Sequence, residues 1–300
     1  MTPVAGQPDA PASFDAFMAA AWNDHADRPQ EVANRLAASL DVVATPDQVA
    51  PFARLVTHVF GEHLGQWSAG IALLDAVRGL PAFDHGTVAA GALGRSSAVL
   101  RYASGDHAAL EPLSRDDRVA VLATVAVTLA GRLDFGPAMA AYAEALRLGA
   151  VDPPPGAPAI RALAIGGHSL AATLEQKKDR SGTETASMIA AAESGLRYWK
   201  QAGTWLEEER AEYRLARSLV QAGRAATAVA SAQRCIAICA ANDAPAFERF
   251  FGHAVLALAQ RAAGNGAAFT LERTQARQQL DLVPADEQHW CAADLAELSD

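Results

Sequence analysis

The sequence predicts an all-α fold built of antiparallel helical hairpins, on three observations. Hydrophobic residues make up 51% of the 300 positions, yet aromatics only 6%. Alanine largely fills the gap, and it is the strongest helix former and lets helix backbones approach closely. Apolar residues recur at +3 and +4 along most of the chain, with single glycines where the pattern stops. Strand signals, meaning β-branched runs that alternate and are bounded by turns, are few.

Taken in order, residues 1–12 hold three prolines among small residues and are expected to be a disordered tail. Residues 46–64 read as a helix ended by Gly65, with 68–78 as its partner. The next strong break is VDPPPGAP, residues 151–158, where four prolines in eight positions exclude helix interior, because each lacks an N–H and clashes with the preceding turn. Such a stiff linker or kink divides the chain into an N-terminal half, 13–150, and a C-terminal half, 159–300.

The C-terminal half is the more regular. In 205–222, WLEEERAEYRLARSLVQA, one apolar stripe runs through Leu206, Tyr213 and Val220 and a second through Ala211, Leu215, Leu219 and Ala222. Two stripes on one helix require neighbours on two sides. Gly223 is placed to cap this helix, since glycine accepts the left-handed conformation that ends one. Residues 225–241 form the next helix, with Ala225, Ala228, Ala232, Cys235 and Cys239 in one row. The short connection makes the pair a hairpin. A second pair follows, 246–263 with Phe247, Phe251, Ala254 and Leu258 on one face, then Gly264, then 266–281.

At these turns the chain resembles the tetratricopeptide repeat. That family places Gly at the turn between its two helices, an aromatic two residues on and a small residue five on, as do Gly65, Trp67 and Gly70. Gly223 and Ala228 keep the spacing without the aromatic, and Gly105 fits loosely with His107 and Leu110. The resemblance implies an α-α superhelix whose concave face, lined by the first helix of each hairpin, holds a peptide or a protein. Gly65 to Gly105 is 40 residues and Gly223 to Gly264 is 41, longer than that family's period of about 34, so longer helices or extra turns are expected here.

Charge narrows the function classes. A net charge of −9, a sequence pI near 5.4 and no basic stripe argue against nucleic acid and anionic membrane as partners. The N-terminal residues MTPVAGQPDAPAS have neither a basic nor an apolar signal region, so no signal peptide is expected. No uncharged apolar stretch reaches the length of a membrane helix. Three cysteines without framework spacing argue against a disulfide scaffold. The expected compartment is the cytoplasm.

Several motifs invite chemistry. GGHSLAA, residues 166–172, resembles the G-x-S-x-G nucleophile elbow of lipases and esterases, with Ser169 as nucleophile. That chemistry needs a strand–turn–helix and an oxyanion loop. The favoured reading is one helix, about 157–177, in which Gly166 and Gly167 permit close helix approach. His58, Glu62 and His63 suggest zinc, but histidines five apart point about 140° away from each other on an α-helix, so packing is favoured. Cys235 and Cys239 continue a row of alanines and are read as core. Trp199, in RYWKQAGTW, is read as a structural anchor. No metal site and no cofactor are expected.

The feature rated highest is the polar row Glu207, Arg210, Arg214, Arg217 and Gln221 at alternating +3 and +4 spacings. Three arginines on one face of a first-type helix suit a carboxylate or acidic peptide through bidentate hydrogen bonds, and Trp205 and Tyr213 would flank them. The bland counterpart is a solvated face stitched by Glu–Arg pairs. The expected function is a non-enzymatic scaffold that binds protein or peptide through Trp205, Arg210, Tyr213, Arg214 and Arg217. The alternatives are a ligand-sensing regulator and, behind it, the Ser169 hydrolase. The ends of a helical array also allow a homodimer.

Overall fold

The computed structural model describes residues 13–86, 88–149 and 156–299. The tail expected at 1–12 and most of the proline-rich segment, 151–155, lie outside the described residues. Those residues form fourteen α-helices and no strand, so the fold is all-α as the composition and periodicity predict. None of these helices is long and apolar enough to cross a membrane. They belong to two compact units that divide the sequence at Asp134 and Phe135.

The first unit contains α1 (Phe14–Asp24), α2 (Pro29–Ala38), α3 (Pro46–Val56), α4 (Trp67–Val77), α5 (Val88–Ala103) and α6 (Arg115–Gly131). Each start follows local chemistry. Ser13 and Ser114 accept backbone N–H groups three residues on, and Thr45 with Gln48 forms a reciprocal capping box, which satisfies donors that a helix start leaves unpaired. The core of this unit is continuous, with Leu36, Phe52, Leu55, Leu74, Leu93 and Leu100 fully buried. Between α3 and α4 the chain does not stay α-helical: Thr57–His63 is a π-helical turn, and Leu64 N–H donates to the Val59 carbonyl at 3.1 Å.

The second unit contains α7 (Phe135–Leu148), α8 (Pro158–Gln176), α9 (Gly182–Ala202), α10 (Trp205–Gln221), α11 (Ala225–Ala241), α12 (Ala246–Ala262), α13 (Gly266–Leu280) and α14 (Ala292–Glu297). Packing joins the helices on either side of the proline-rich segment: α7 rests on α8 and α9, and Tyr142 O–H donates to the Leu163 carbonyl at 2.8 Å. The compact boundary therefore precedes the prolines. Helices α8/α9, α10/α11 and α12/α13 pack as pairs, and α10 also touches α8 and α12. Gly223 (φ +71°) and Gly264 (φ +77°) sit after α10 and α12 in the left-handed region, where a Cβ is strained.

Pair α8/α9 crosses at two glycines. A Cβ on Gly167 would lie 2.5 Å from the Ala191 carbonyl oxygen and 2.7 Å from the Gly195 nitrogen. These are backbone atoms and cannot swing aside. Replacing Gly167 with alanine is therefore expected to cost about 1–3 kcal/mol by overpacking, read as a lowered urea midpoint. An unchanged midpoint would mean that the two helices have slack at the crossing.

Candidate functional site

The site is best built from α10. Thr204 and Glu207 form a capping box, with Glu207 accepting the Thr204 N–H at 2.8 Å. Glu207 thus anchors the start of the helix and does not join the arginine row. The buried side of α10 carries Ala211, Leu215, Ala216 and Leu219 as its apolar surface, together with two carboxylates, Glu209 and Glu212. Glu212 pairs with Arg234 at 2.9 Å and with Lys200 at 3.6 Å.

Each arginine of the row already holds a carboxylate from another helix. Arg210 donates to Glu248 of α12, through Nη2 at 2.5 Å and Nε at 3.3 Å. Arg214 pairs with Glu175 of α8, whose other oxygen accepts the Ser218 hydroxyl at 2.6 Å. Arg217 reaches Asp294 at 3.3 Å and Glu297 at 2.7 Å, both on α14. Asp294 also accepts the Tyr213 hydroxyl at 2.6 Å. The row expected to await an acidic partner is occupied by acids of its own chain, which fasten α8, α12 and α14 to α10. Arg210 keeps the most freedom, with 52% of its side chain exposed.

Beside this row lies a cleft of about 240 Å³. Its wall consists of His168 from α8, Glu209, Arg210, Tyr213 and Arg214 from α10, Phe247, Glu248 and Phe251 from α12, and Trp290 from the turn before α14. Tyr213 meets Phe251 edge to face with ring centres 5.5 Å apart, and Phe251 meets Phe247 at 5.1 Å. Trp290 stands at the rim, 64% exposed. Three residues singled out from sequence, Arg210, Tyr213 and Arg214, line the cleft; Trp205 and Arg217 do not.

The electrostatics of this wall are unusual. Burial pushes the Glu209 carboxyl up to about 7, helped by the nearby Glu248 and opposed by the Cys235 thiol. That thiol donates to Glu209 at 2.7 Å. Burial, with Arg214 and Arg210 adding repulsion, pushes His168 down to about 3, so a neutral imidazole faces the cleft at neutral pH. Burial also raises Glu175 despite its neighbour Arg214. Two buried polar atoms of this wall, Glu209 Oε2 and Arg214 Nε, have no hydrogen-bond partner among the described residues. Such groups cost about 1–3 kcal/mol each.

The other candidates fall as follows. Ser169 lies in the middle of α8, its carbonyl accepting the Thr173 hydroxyl at 3.0 Å, so the strand–turn–helix of a nucleophile elbow is not formed there. Cys235 and Cys239 are buried on the seam of α11, and contact with Cys239, then burial and Glu209, holds the Cys235 thiol far above its ordinary value. It is a core thiol and not a thiolate nucleophile. Trp199 is buried beneath the Arg161 guanidinium, 5.2 Å from its ring centre. Trp205 begins α10, half-buried.

One sequence expectation is corrected outright. His58 and His63 do not diverge: their rings lie 4.7 Å apart, with the two Nε2 atoms at 3.1 Å. A divergence of about 140° holds on an α-helix, whereas the π-helical turn over Thr57–His63 closes i to i+5 and brings residues five apart together.

With the fold and these sites described, comparison with known proteins adds no relative: no protein-family model matches the chain, and a search of curated proteins finds no significant match.

Proposed function

We propose that the chain is a cytoplasmic, non-enzymatic peptide-binding protein whose second unit is a short tetratricopeptide-like superhelix. Pairs α8/α9, α10/α11 and α12/α13 stand for its hairpins, and the cleft on α8, α10 and α12 for its concave face. The observation that carries this reading is the cleft itself, contributed by the first helix of each pair and rimmed by an exposed tryptophan. Aromatic anchors next to arginine make strong partner contacts. A volume of about 240 Å³ falls below the roughly 300–1,000 Å³ of small-molecule sites, which favours one partner side chain over a whole ligand.

The bound segment is expected to insert an apolar or aromatic side chain among Tyr213, Phe247 and Phe251 and to present a carboxylate to Arg210. The docking of acidic α14 on Arg217 supports an acidic character for that segment. Peptide-display selection against the whole chain tests this. Selected peptides are expected to be acidic with a hydrophobic anchor, and Trp290→Ala to weaken them by about 2 kcal/mol while leaving the thermal midpoint unchanged. Failure to select any peptide, or equal binding by Trp290→Ala, would count against the reading. The ligand-sensing alternative uses the same cleft and is favoured instead if a metabolite panel raises the melting temperature.

A further inference from the structure

A second cluster lies in the first unit, far in sequence from the cleft, and the peptide-binding reading does not use it. Three half-buried histidines converge there. His58 and His63 come from the π-helical turn, and His25 from the residue that caps the end of α1. Ring centres of His25 lie 4.9 Å from His58 and 5.2 Å from His63. Each residue offers one ring nitrogen, and the three nitrogens lie within 4.8 Å of one another.

The remaining nitrogens indicate what the cluster is for. His58 Nδ1 is bonded to the Glu62 carboxylate at 2.8 Å, and His25 Nδ1 meets the Trp22 carbonyl. Metal-binding histidines are held in this way: the outer nitrogen donates to a carboxylate or carbonyl, which sets the tautomer and leaves the other lone pair free. His58 and His25 therefore turn their Nε2 atoms inward. His58 Nε2 then faces His63 Nε2 at 3.1 Å, and two lone pairs at that distance repel unless a proton or a cation lies between them. A tetrahedral zinc with Zn–N bonds of about 2.0–2.1 Å places its nitrogens about 3.3–3.4 Å apart. The His58–His63 pair, at 3.1 Å, is within about 0.3 Å of that separation, and the three nitrogens, within 4.8 Å of one another, would close on an ion by a small side-chain adjustment of His25.

We propose that His25, His58 and His63 form a zinc site, with Glu62 as the carboxylate that orients His58. Three neutral imidazoles select a borderline transition ion over magnesium or calcium, which prefer oxygen. With Glu62 engaged by His58, three protein ligands leave a fourth position to water or a small anion, the coordination of an open zinc site. The metal would tie the α1–α2 corner to the π-helical turn. It also gives that turn a purpose, since an α-helical course would separate the two histidines.

The test uses the 300-residue chain stripped with a chelator, dialysed and titrated with cobalt(II) as the spectroscopic stand-in for zinc. One equivalent is expected to bind with the visible bands of four-coordinate cobalt, to be displaced by zinc, and to raise the thermal midpoint reversibly. His25→Asn, His58→Asn and His63→Asn are each expected to abolish the bands. Glu62→Gln, which removes no ligand, is expected to weaken binding about 10–100-fold, and His253→Asn, at a histidine outside the cluster, to leave it unchanged. The proposal is overturned if the wild-type chain shows no stoichiometric uptake, if its cobalt spectrum is six-coordinate, or if His25→Asn binds as well as wild type. Wild-type stoichiometry and Glu62→Gln keep the test decisive where a histidine variant fails to fold.

Discussion

Replacing Arg214 with alanine is expected to destabilise the second unit by about 3–5 kcal/mol, because it strands a buried carboxylate. Glu175 is only 5% exposed and Arg214 20%. Without the guanidinium, Glu175 keeps the Ser218 hydroxyl as a hydrogen-bond donor and only the longer-range attraction of Arg217, and must either stay charged in a dry site or take up a proton. The loss comes from the orphaned charge more than from the pair itself, since two well-packed apolar residues can replace a buried ion pair at little cost. Arg214→Met combined with Glu175→Leu should therefore recover most of the stability lost by Arg214→Ala. Urea unfolding of the two variants against wild type measures this difference. A single-variant loss of about 0.5 kcal/mol or less, the usual size for a surface change, would mean that water screens the pair.

The second large effect is a pH dependence written into the cleft wall. Glu209 has an ordinary carboxyl value of 4.5 when unfolded and about 7 when folded, chiefly through burial. The folded state holds that proton more tightly, so the contribution of Glu209 is fully present below about pH 4.5 and is lost as pH rises to about 7. Glu209→Gln keeps the shape and removes the titration. Its stability relative to wild type should therefore increase between about pH 4.5 and 7 and level off above, by on the order of 3 kcal/mol. His168 acts in the opposite sense. Its folded value of about 3 lies below the ordinary 6.5, so its contribution is present above about pH 6.5 and is lost as pH falls toward 3. Denaturation curves for Glu209→Gln at about pH 5 and about pH 8 settle the first claim. A constant offset between the two curves would show that Glu209 is ionised throughout.

Much of this was legible in the chain. Ala211, Leu215 and Leu219 of α10 and Ala254 and Leu258 of α12 are buried as their spacing implies, and the glycines after these helices take φ values only glycine adopts freely, whereas Leu206, Tyr213, Val220, Phe247 and Phe251 are only partly buried. The row of Cys235 and Cys239 reads as core because small residues recur along it, and both thiols are buried. Glu209 was overlooked, yet it left a signal. Glu209, Glu212, Ala216 and Leu219 recur at +3, +4 and +3 on the buried side of α10, and carboxylates at core spacing mark a polar group committed to a specific partner. Phe247 and Phe251 were visible as one face of α12, but nothing local marked that face as the wall of a cleft. His168 and Trp290 carried no such signal.

The sequence by itself determined the all-α class and the courses of α4, α8 and α10 to α13, because periodicity, capping and glycine conformation act over a few residues, whereas the run read as one helix over 46–64 leaves α-helical geometry after Val56. It did not determine what the arginines of α10 are for. Their carboxylates lie 38, 39, 77 and 80 residues away along the chain, and no local rule pairs groups so distant. The same holds for the histidines: a π-helical turn reset the phase between His58 and His63, and only folding brought His25 beside them. Local forces choose the elements, whereas the charges and imidazoles find their partners only when packing carries distant helices together.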